Sequence, residues 1–459
     1  TADEAQKGGI TAEDGLKISK TLADTGQLDF LNVVRGRIHT DPAMTDLIPI
    51  QGMKNAPHLD FAGQVKKLTG MPTFHAAKIP DVATARHAVE AGLLDMVGMT
   101  RAHMADPHVV KKIIEGREDD IRPCVGATYC LDRIYEAGDA LCIHNAATGR
   151  ELTMPHTIQP AEKKRKVVIV GAGPAGLEAA RVAAERGHNV VVFEAQPDPG
   201  GQIRLTAQSP RRREMISIID WRMAQCAARD VEFNFNRWAE AGDVIDQKPD
   251  VVIIATGGMP NTELFETGKD STHVVTSWDI IAGDVKPADS ILIYDESGDH
   301  AALQAAEVAA NTGAKVEIMT PDRTFSAGVM AMNLVPYMRS LQDKDTTFTV
   351  ARRLLGVERR GNKLEAQIGT DYSDHSDIQE YDQVVVNYGT LPLDELYFDL
   401  KDLSSNGGSV DHDALIKGHT QNIVKNSGGE FQLFRIGDAV SARNTHAAIY
   451  DALRLLKDI

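Results

Sequence analysis

The stretch Val167-Val-Ile-Val-Gly-Ala-Gly-Pro-Ala-Gly176 decides the fold class. Its first four residues read as a strand buried on both faces, as in a parallel sheet. Gly171, Gly173 and Gly176 then form a G-x-G-x-x-G turn, and Ala179, Ala180, Val182 and Ala183 continue as the apolar face of a helix. A second apolar run, 190–193, ends in Glu194, eighteen residues past Gly176. Each glycine has a mechanical task. The first makes the tight turn, the second admits a pyrophosphate to the backbone, and the third lets helix and strand pack closely, so that the helix N-terminus faces the phosphates. Glu194 is placed to hydrogen-bond a ribose hydroxyl. Strand, turn, helix, strand and acid in this order predict a site for a ligand with an adenosine diphosphate half.

Working outward, 459 residues correspond to about three domains. A net charge of −16 without a basic stripe argues against a nucleic-acid partner. The short basic runs 163–166 and 211–213 read as solvated charges. No apolar stretch is long enough to span a membrane, and no signal-peptide pattern opens the chain. Four cysteines in so long a chain do not make a disulfide scaffold. A reducing, cytoplasmic setting is therefore expected.

Residues 1–118 alternate helix and strand. Thr11-x-x-Asp14 resembles a capping box before a helical run over 15–23. Strands are predicted over 28–34, 72–77 and 94–98. One helix should bury Phe61, Val65 and Leu68 and stop at Gly70, another should bury Val82, Ala85 and Val89, and a third should cover 107–115. Such alternation implies parallel strands and fits the final part of a (β/α)8 barrel, although an intact barrel needs roughly 250 residues. Residues 119–160 break the pattern and hold three cysteines. Residues 161–285 form the first nucleotide-binding region, which closes on a strand over 251–255 and then Thr256-Gly257. Residues 286–395 read as a second Rossmann-like unit, with a similar closure at Gly389. Residues 396–459 return to the first region through Phe434-Arg-Ile-Gly-Asp438 and a final amphipathic helix.

Two nested nucleotide domains carrying Gly171–Gly176, Glu194, Ala255-Thr256-Gly257 and Gly437-Asp438 resemble the glutathione-reductase-like flavoproteins. With a barrel end and a cysteine segment before them, the order resembles the multidomain NADH:flavin oxidoreductases. That group includes trimethylamine, dimethylamine and histamine dehydrogenases and 2,4-dienoyl-CoA reductase. The resemblance covers the whole chain and implies an α/β fold: the last three strands of an old-yellow-enzyme-like barrel, then two nested Rossmann-like domains. It also implies FMN at the barrel mouth. Barrel enzymes commonly hold a cofactor phosphate at the loops after strands 7 and 8, which here start at Ala77-Lys78 and Gly98-Met99-Thr100-Arg101. Arg101 matches the family's phosphate-binding arginine, and a guanidinium grips phosphate in a bidentate fashion. Ala77 and Thr100 stand where the family has glycine and a smaller residue, and backbone donors survive both changes.

The family holds a four-iron cluster on four cysteines after the barrel. Cys124, Cys130 and Cys142 match three of them, and Ala127 stands at the fourth. A 3Fe-4S cluster, a 4Fe-4S cluster with a non-cysteine ligand such as His144, or ordinary buried thiols all remain open. Cys226, in a helical run, is expected in the core. Gly171, Gly173, Gly176, Glu194, Gly201 and Gln202 resemble the site for FAD or ADP, with Thr256, Gly257, Gly437 and Asp438 at its far side, although Asp438 could equally cap a helix. In the second Rossmann-like region the turn reads Tyr294-Asp-Glu-Ser-Gly-Asp-His300. Only Gly298 remains of a fingerprint, and Asp295, Glu296 and Asp299 would repel a pyrophosphate, so NAD(P)H is not expected there.

The resemblance therefore implies oxidation of a secondary or tertiary amine at FMN. Electrons would pass on to a partner such as an electron-transfer flavoprotein, and the protein would be a homo-oligomer. The alternatives are an NAD(P)H-dependent enoate reductase of the same architecture, or a nucleotide-binding, electron-transfer portion without turnover. No catalytic base is assigned. Arg35, Arg37 and His39 are placed at the barrel mouth or in a solvated loop.

Overall fold

Apolar runs rich in Val and Ile form the centre of the two five-stranded parallel sheets, because strands covered on both faces disfavour polar side chains. The computed structural model describes residues 2–262 and 274–459. Residues 263–273, part of the expected region 161–285, lie outside the described residues. By internal packing the chain divides into two units.

The first unit contains the residues up to Glu151 together with Arg211–Trp221 and Ala331–Val335. It opens with the helix Ala12–Asp24, whose Thr11 and Asp14 form the expected capping box. Three parallel strands follow, Leu31–Val33, Thr73–Ala76 and Met96–Gly98, paired in that order. The helices Leu59–Thr69 and Val82–Glu90 connect them. The sheet has the strand–helix–strand order of a barrel segment, and among the described residues it is an open three-stranded sheet rather than a closed barrel.

Two helix faces differ from the sequence expectation. Leu68 and Val89 are exposed, whereas Ala62 and Ala88 are buried with Phe61, Val65 and Val33. Small residues occupy these faces, and at Gly63 the neighbouring Leu93 side chain leaves no room for a larger one. A Cβ on Gly63 would stand 2.7 Å from Leu93 Cδ2. The helix expected over 107–115 forms over Val109–Ile114, and a further short helix, Thr100–Ala105, precedes it. Asp106 separates them, and its carboxylate accepts the His108 and Arg122 N–H groups and pairs with Lys112. The cysteine segment contributes an unexpected helix, Tyr129–Tyr135.

The second unit holds two five-stranded parallel sheets. In the first, Lys166–Val170 lies between Asn189–Phe193 and Val251–Ile254. Glu232–Asn234 forms one edge and Gln432–Arg435 the other. In the second, Ser290–Asp295 lies between Lys315–Met319 and Gln383–Asn387, with Thr346–Thr349 and Val274–Thr276 outside. The glycines after Val251–Ile254 and Gln383–Asn387 lead into two short strands, Gly258–Pro260 and Thr390–Pro392, which pair antiparallel. An antiparallel sheet of Arg353–Arg360, Lys363–Gly369 and Asp377–Tyr381 completes the unit. The helix Pro174–Glu185 carries a buried ion network. Glu178 takes Arg181 at 2.7 Å and Arg222 at 2.8 Å, and Arg181 also reaches Glu185 at 2.6 Å.

Among the described residues no helix is long and apolar enough to cross a membrane.

Candidate functional site

The glycine turn has the geometry its spacing predicts. Gly171 has φ +103°, and a Cβ there would lie 2.3 Å from the Ala255 carbonyl oxygen. A Cβ on Gly176 would lie 1.9 Å from the Gly171 oxygen, so this glycine sets the distance between helix and strand. At Gly173 no heavy atom lies within 4 Å of the Cβ position. The turn is thus closed on its protein side at Gly171 and Gly176 and open at Gly173. Gly173 is also the N-cap of the helix Pro174–Glu185, whose first N–H groups lack intrahelical partners and favour an anion.

Four separate stretches converge on this turn. Glu194 accepts the Ala172 N–H at 2.7 Å and the Gln196 N–H at 2.8 Å. A Cβ on Gly201 would lie 3.5 Å from Gly173 Cα. Gln202 Nε2 donates to Asp438 Oδ2 at 3.1 Å. Gly437 packs on Ala175, where a Cβ would stand 2.9 Å from the alanine methyl. Asp438 accepts the Arg443 N–H at 3.1 Å, and burial raises its pKa. It does not cap the final helix, because Asn444 does so for Thr445–Leu456. The Thr256 hydroxyl donates to the Leu393 carbonyl, and the Gly257 carbonyl accepts the Leu393 N–H at 3.0 Å. These two residues tie the crossing strands together behind the turn.

In the first unit, the C-terminal ends of the three parallel strands open into one cavity of about 340 Å³. Ala77, Lys78, Gly98, Thr100 and Arg101 all line it. Gly98 lets two strand ends approach, since a Cβ would stand 2.6 Å from that of Ala76. Arg101 Nη2 donates to the Pro49 carbonyl at 2.8 Å, while its Nη1 is buried with no partner in the protein. An orphaned guanidinium donor fits a phosphate, because leaving it unpaired carries the full desolvation cost. Lys78 sits at φ +44°, and its ammonium, 3% exposed, donates to Met53 O at 2.5 Å and Glu214 Oε1 at 2.8 Å.

Sequence reading missed two histidines and one acid here. His75 lines the cavity and donates from Nδ1 to the Val33 carbonyl at 2.8 Å, leaving Nε2 without a protein partner. Burial lowers its pKa, and that of His58 across the cavity wall, so both imidazoles tend to neutrality. Nothing in the spacing of His58, His75 and Glu214 announces that they meet. Arg35 also lines the cavity and pairs with Asp3 at 2.8 Å, whereas Arg37 and His39 are not among the lining residues.

Cys124 reaches the same cavity. Burial pushes the Cys142 thiol up to about 12 and raises Cys130, and Cys124 adds to both, while Arg101 opposes the rise at Cys130. Backbone N–H groups of His144 and Asn145 reach the Cys142 sulfur. The thiols influence one another electrostatically without forming a common ligand cage. Among the described residues no three His, Cys, Asp or Glu side chains are grouped to hold a metal ion. His144 is held by the Pro123 carbonyl at 2.9 Å and by the edge of Trp221. Cys226 is fully buried in the helix Ser217–Ala227.

The second Rossmann-like turn is filled from within. The Asp295 carboxylate accepts the Ser297 N–H at 3.1 Å, the Gly298 N–H at 2.9 Å and Asn387 Nδ2 at 2.9 Å. Asp299 caps the following helix, His300–Asn311. Burial raises the Asp295 pKa to about 7. Side-chain carboxylates thus take the N–H groups that an open turn would present to a pyrophosphate.

Comparison with known proteins adds the following. Residues 165–451 match the family model described as pyridine nucleotide-disulphide oxidoreductase. The chain is 67% identical over 459 residues to a probable N-methylproline demethylase of Rhizobium meliloti (strain 1021), covering 100% of the chain and 67% of the relative. It is 42% identical over 467 residues to the N,N-dimethylglycine/sarcosine dehydrogenase of Chromohalobacter salexigens, covering 99% and 67%. Among solved structures, 2-naphthoyl-CoA reductase superposes with a TM-score of 0.83 at 26% identity, covering 99% of this chain and 64% of that one. The chain thus spans about two-thirds of the length of these relatives.

Proposed function

We propose, from the premise that this chain belongs to the pyridine nucleotide-disulphide oxidoreductase family and to its group of multidomain flavin oxidoreductases, that it serves the flavin-dependent oxidation of an N-methylated amine. The observation that carries the reading is the cavity at the strand ends, with its orphaned Arg101 donor beside Gly98. Arg101, Thr100 and the backbone at Ala77, Lys78 and Gly98 would hold the phosphate of FMN. When bound, FMN would supply a two-electron acceptor for the carbon beside the amine nitrogen, and hydrolysis of the resulting iminium would yield an aldehyde and the smaller amine. The names of the two curated relatives support an N-methylated amino acid as the substrate class.

The residues of the chain bind and exclude water rather than exchange protons at an assigned atom. Gly171, Gly173, Gly176, Glu194, Gly201, Gln202, Gly437 and Asp438 would hold FAD or ADP, with Thr256 and Gly257 bracing the strands behind them. The self-filled Asp295 turn supports electron input from the amine rather than from NAD(P)H. An iron–sulfur centre would require Cys124, Cys130 and Cys142 to close around it and a fourth ligand in place of Ala127. No step is assigned to it. Electrons would leave to a protein acceptor of the electron-transfer flavoprotein kind, from a homo-oligomer in the cytoplasm. A second reading, reduction of an unsaturated acyl-CoA, draws on the similarity to 2-naphthoyl-CoA reductase.

Denaturing the purified protein should release FMN and an adenine nucleotide, and iron and sulfide analysis of the same sample tests the thiols. Anaerobic addition of N-methylproline or sarcosine should bleach the flavin. Bleaching by NADPH and by none of the N-methylated amines overturns the amine reading in favour of the reductase.

A further inference from the structure

The cavity that would take the flavin phosphate contains a carboxylate. Glu214 comes from the segment Arg211–Trp221, far in sequence from the strand ends, and lines the cavity with Lys78 and Arg101. Its Oε1 lies 2.8 Å from Lys78 Nζ and accepts the Gly52 N–H at 3.1 Å. Its Oε2 lies against Gly126, where a Cβ would stand 3.3 Å away. The Lys78 side chain is 3% exposed and the Glu214 side chain 35%. An ammonium so buried needs an anionic partner, because an uncompensated buried charge is strongly destabilising. Glu214 is that partner in the protein alone.

A phosphate entering the cavity meets three cations, of which Arg35 is already paired with Asp3, and one carboxylate, Glu214. It gains from Arg101 and Lys78 and is repelled by Glu214 over a few ångströms of partly desolvated space, where charges interact more strongly than in water. We propose that Glu214 is a positioning and specificity residue of the flavin phosphate subsite: it stands in for the phosphate on Lys78 in the empty cavity and competes with it when the flavin binds. The proposal rests on the reading of this cavity as the FMN site. Glu214 therefore stabilises the flavin-free protein and at the same time sets an upper limit on phosphate affinity. A purely structural role would make both properties fall together when Glu214 is lost. Competition makes them move in opposite directions.

The test uses Glu214→Gln, which keeps the side-chain volume and an oxygen for the Gly52 N–H. Flavin-depleted protein is titrated with FMN and with riboflavin, which lacks the phosphate, by quenching of flavin fluorescence, and its melting temperature is recorded with and without each flavin. The variant is expected to melt lower than the parent without flavin. It should bind FMN about five-fold more tightly, with riboflavin affinity unchanged, so the rise in melting temperature on adding FMN becomes larger. Weaker FMN binding by E214Q, or an equal change for both flavins, overturns the proposal. Arg101→Ala separates this failure from failure of the underlying reading. If it leaves FMN binding intact, the cavity is not the phosphate site at all. If it weakens FMN and E214Q does so too, only the competition fails.

Discussion

At the scale of single residues, three glycines of one turn make different demands. Gly176 faces a carbonyl oxygen at a distance no methyl group tolerates, whereas Gly173 faces open space. Gly176→Ala should lower the melting temperature whether or not nucleotide is present. Gly173→Ala should lower the melting temperature of nucleotide-free protein far less than Gly176→Ala, since it meets no clash and loses only the N-cap preference for glycine, on the order of 1 kcal/mol. It should reduce the adenine nucleotide released on denaturation. Equal thermal losses in the two variants would mean that Gly173 is as tightly packed as Gly176. Asp295 supplies a pH signature. Its folded pKa, near 7, lies above the usual 3.8, so the fold favours the protonated acid. The stability this contributes is fully present below about pH 4 and is lost as pH rises through 7, at about 1.4 kcal/mol for each unit of the shift. Asp295→Asn should remove that slope. The variant should gain thermal stability relative to the parent as pH rises from about 4 to 7, and a pH-independent difference would contradict a buried acid.

At the scale of elements, the ion network on the helix Pro174–Glu185 shows where sequence reading stops. The spacing of Ala179, Ala180, Val182 and Ala183 marked one buried face, and the structure buries Glu178 and Arg181 as well. Arg222 satisfies Glu178 from another helix region, and no local pattern in the sequence links positions so far apart. Removing one member leaves an uncompensated buried charge, so Glu178→Gln should cost about 3–5 kcal/mol in denaturant unfolding. A loss under about 1 kcal/mol would show that water reaches the network. The exposed Leu68 and Val89 make the complementary point. Helical periodicity locates a helix but fixes its apolar face only to within a residue, and the structure turns Ala62 and Ala88 inward instead of Leu68 and Val89. Strand–turn–helix order around Gly171 was legible because one local run carries the whole device. The cavity's Ala77, Lys78, Gly98, Thr100 and Arg101 were legible through position at strand ends. His58, His75 and Glu214 were not, since tertiary contact alone brings them there.

At the scale of the whole molecule, local patterning does not reveal which distant stretches pack together. Residues Arg211–Trp221 and Ala331–Val335 lie within stretches that sequence patterning gives to nucleotide domains, yet they pack in the first unit. Asn333 accepts from Gln51 Nε2 at 3.1 Å and donates to the Ala127 carbonyl at 2.9 Å, and Met332 joins Met44 and Ile50 in a buried cluster. Short returns of this kind carry too few residues to show a period of their own. They have a genetic consequence. The two halves of the chain are not interchangeable modules: a gene fusion or recombination that joins residues 1–151 to a foreign nucleotide domain would deliver a strand-end cavity with a stranded Lys78 ammonium and an open seam beside the cysteine loop. Exchange between homologues should therefore succeed only when all three segments of the first unit come from the same parent, and chimeras cut near residue 160 should be recovered insoluble unless 211–221 and 331–335 travel with them.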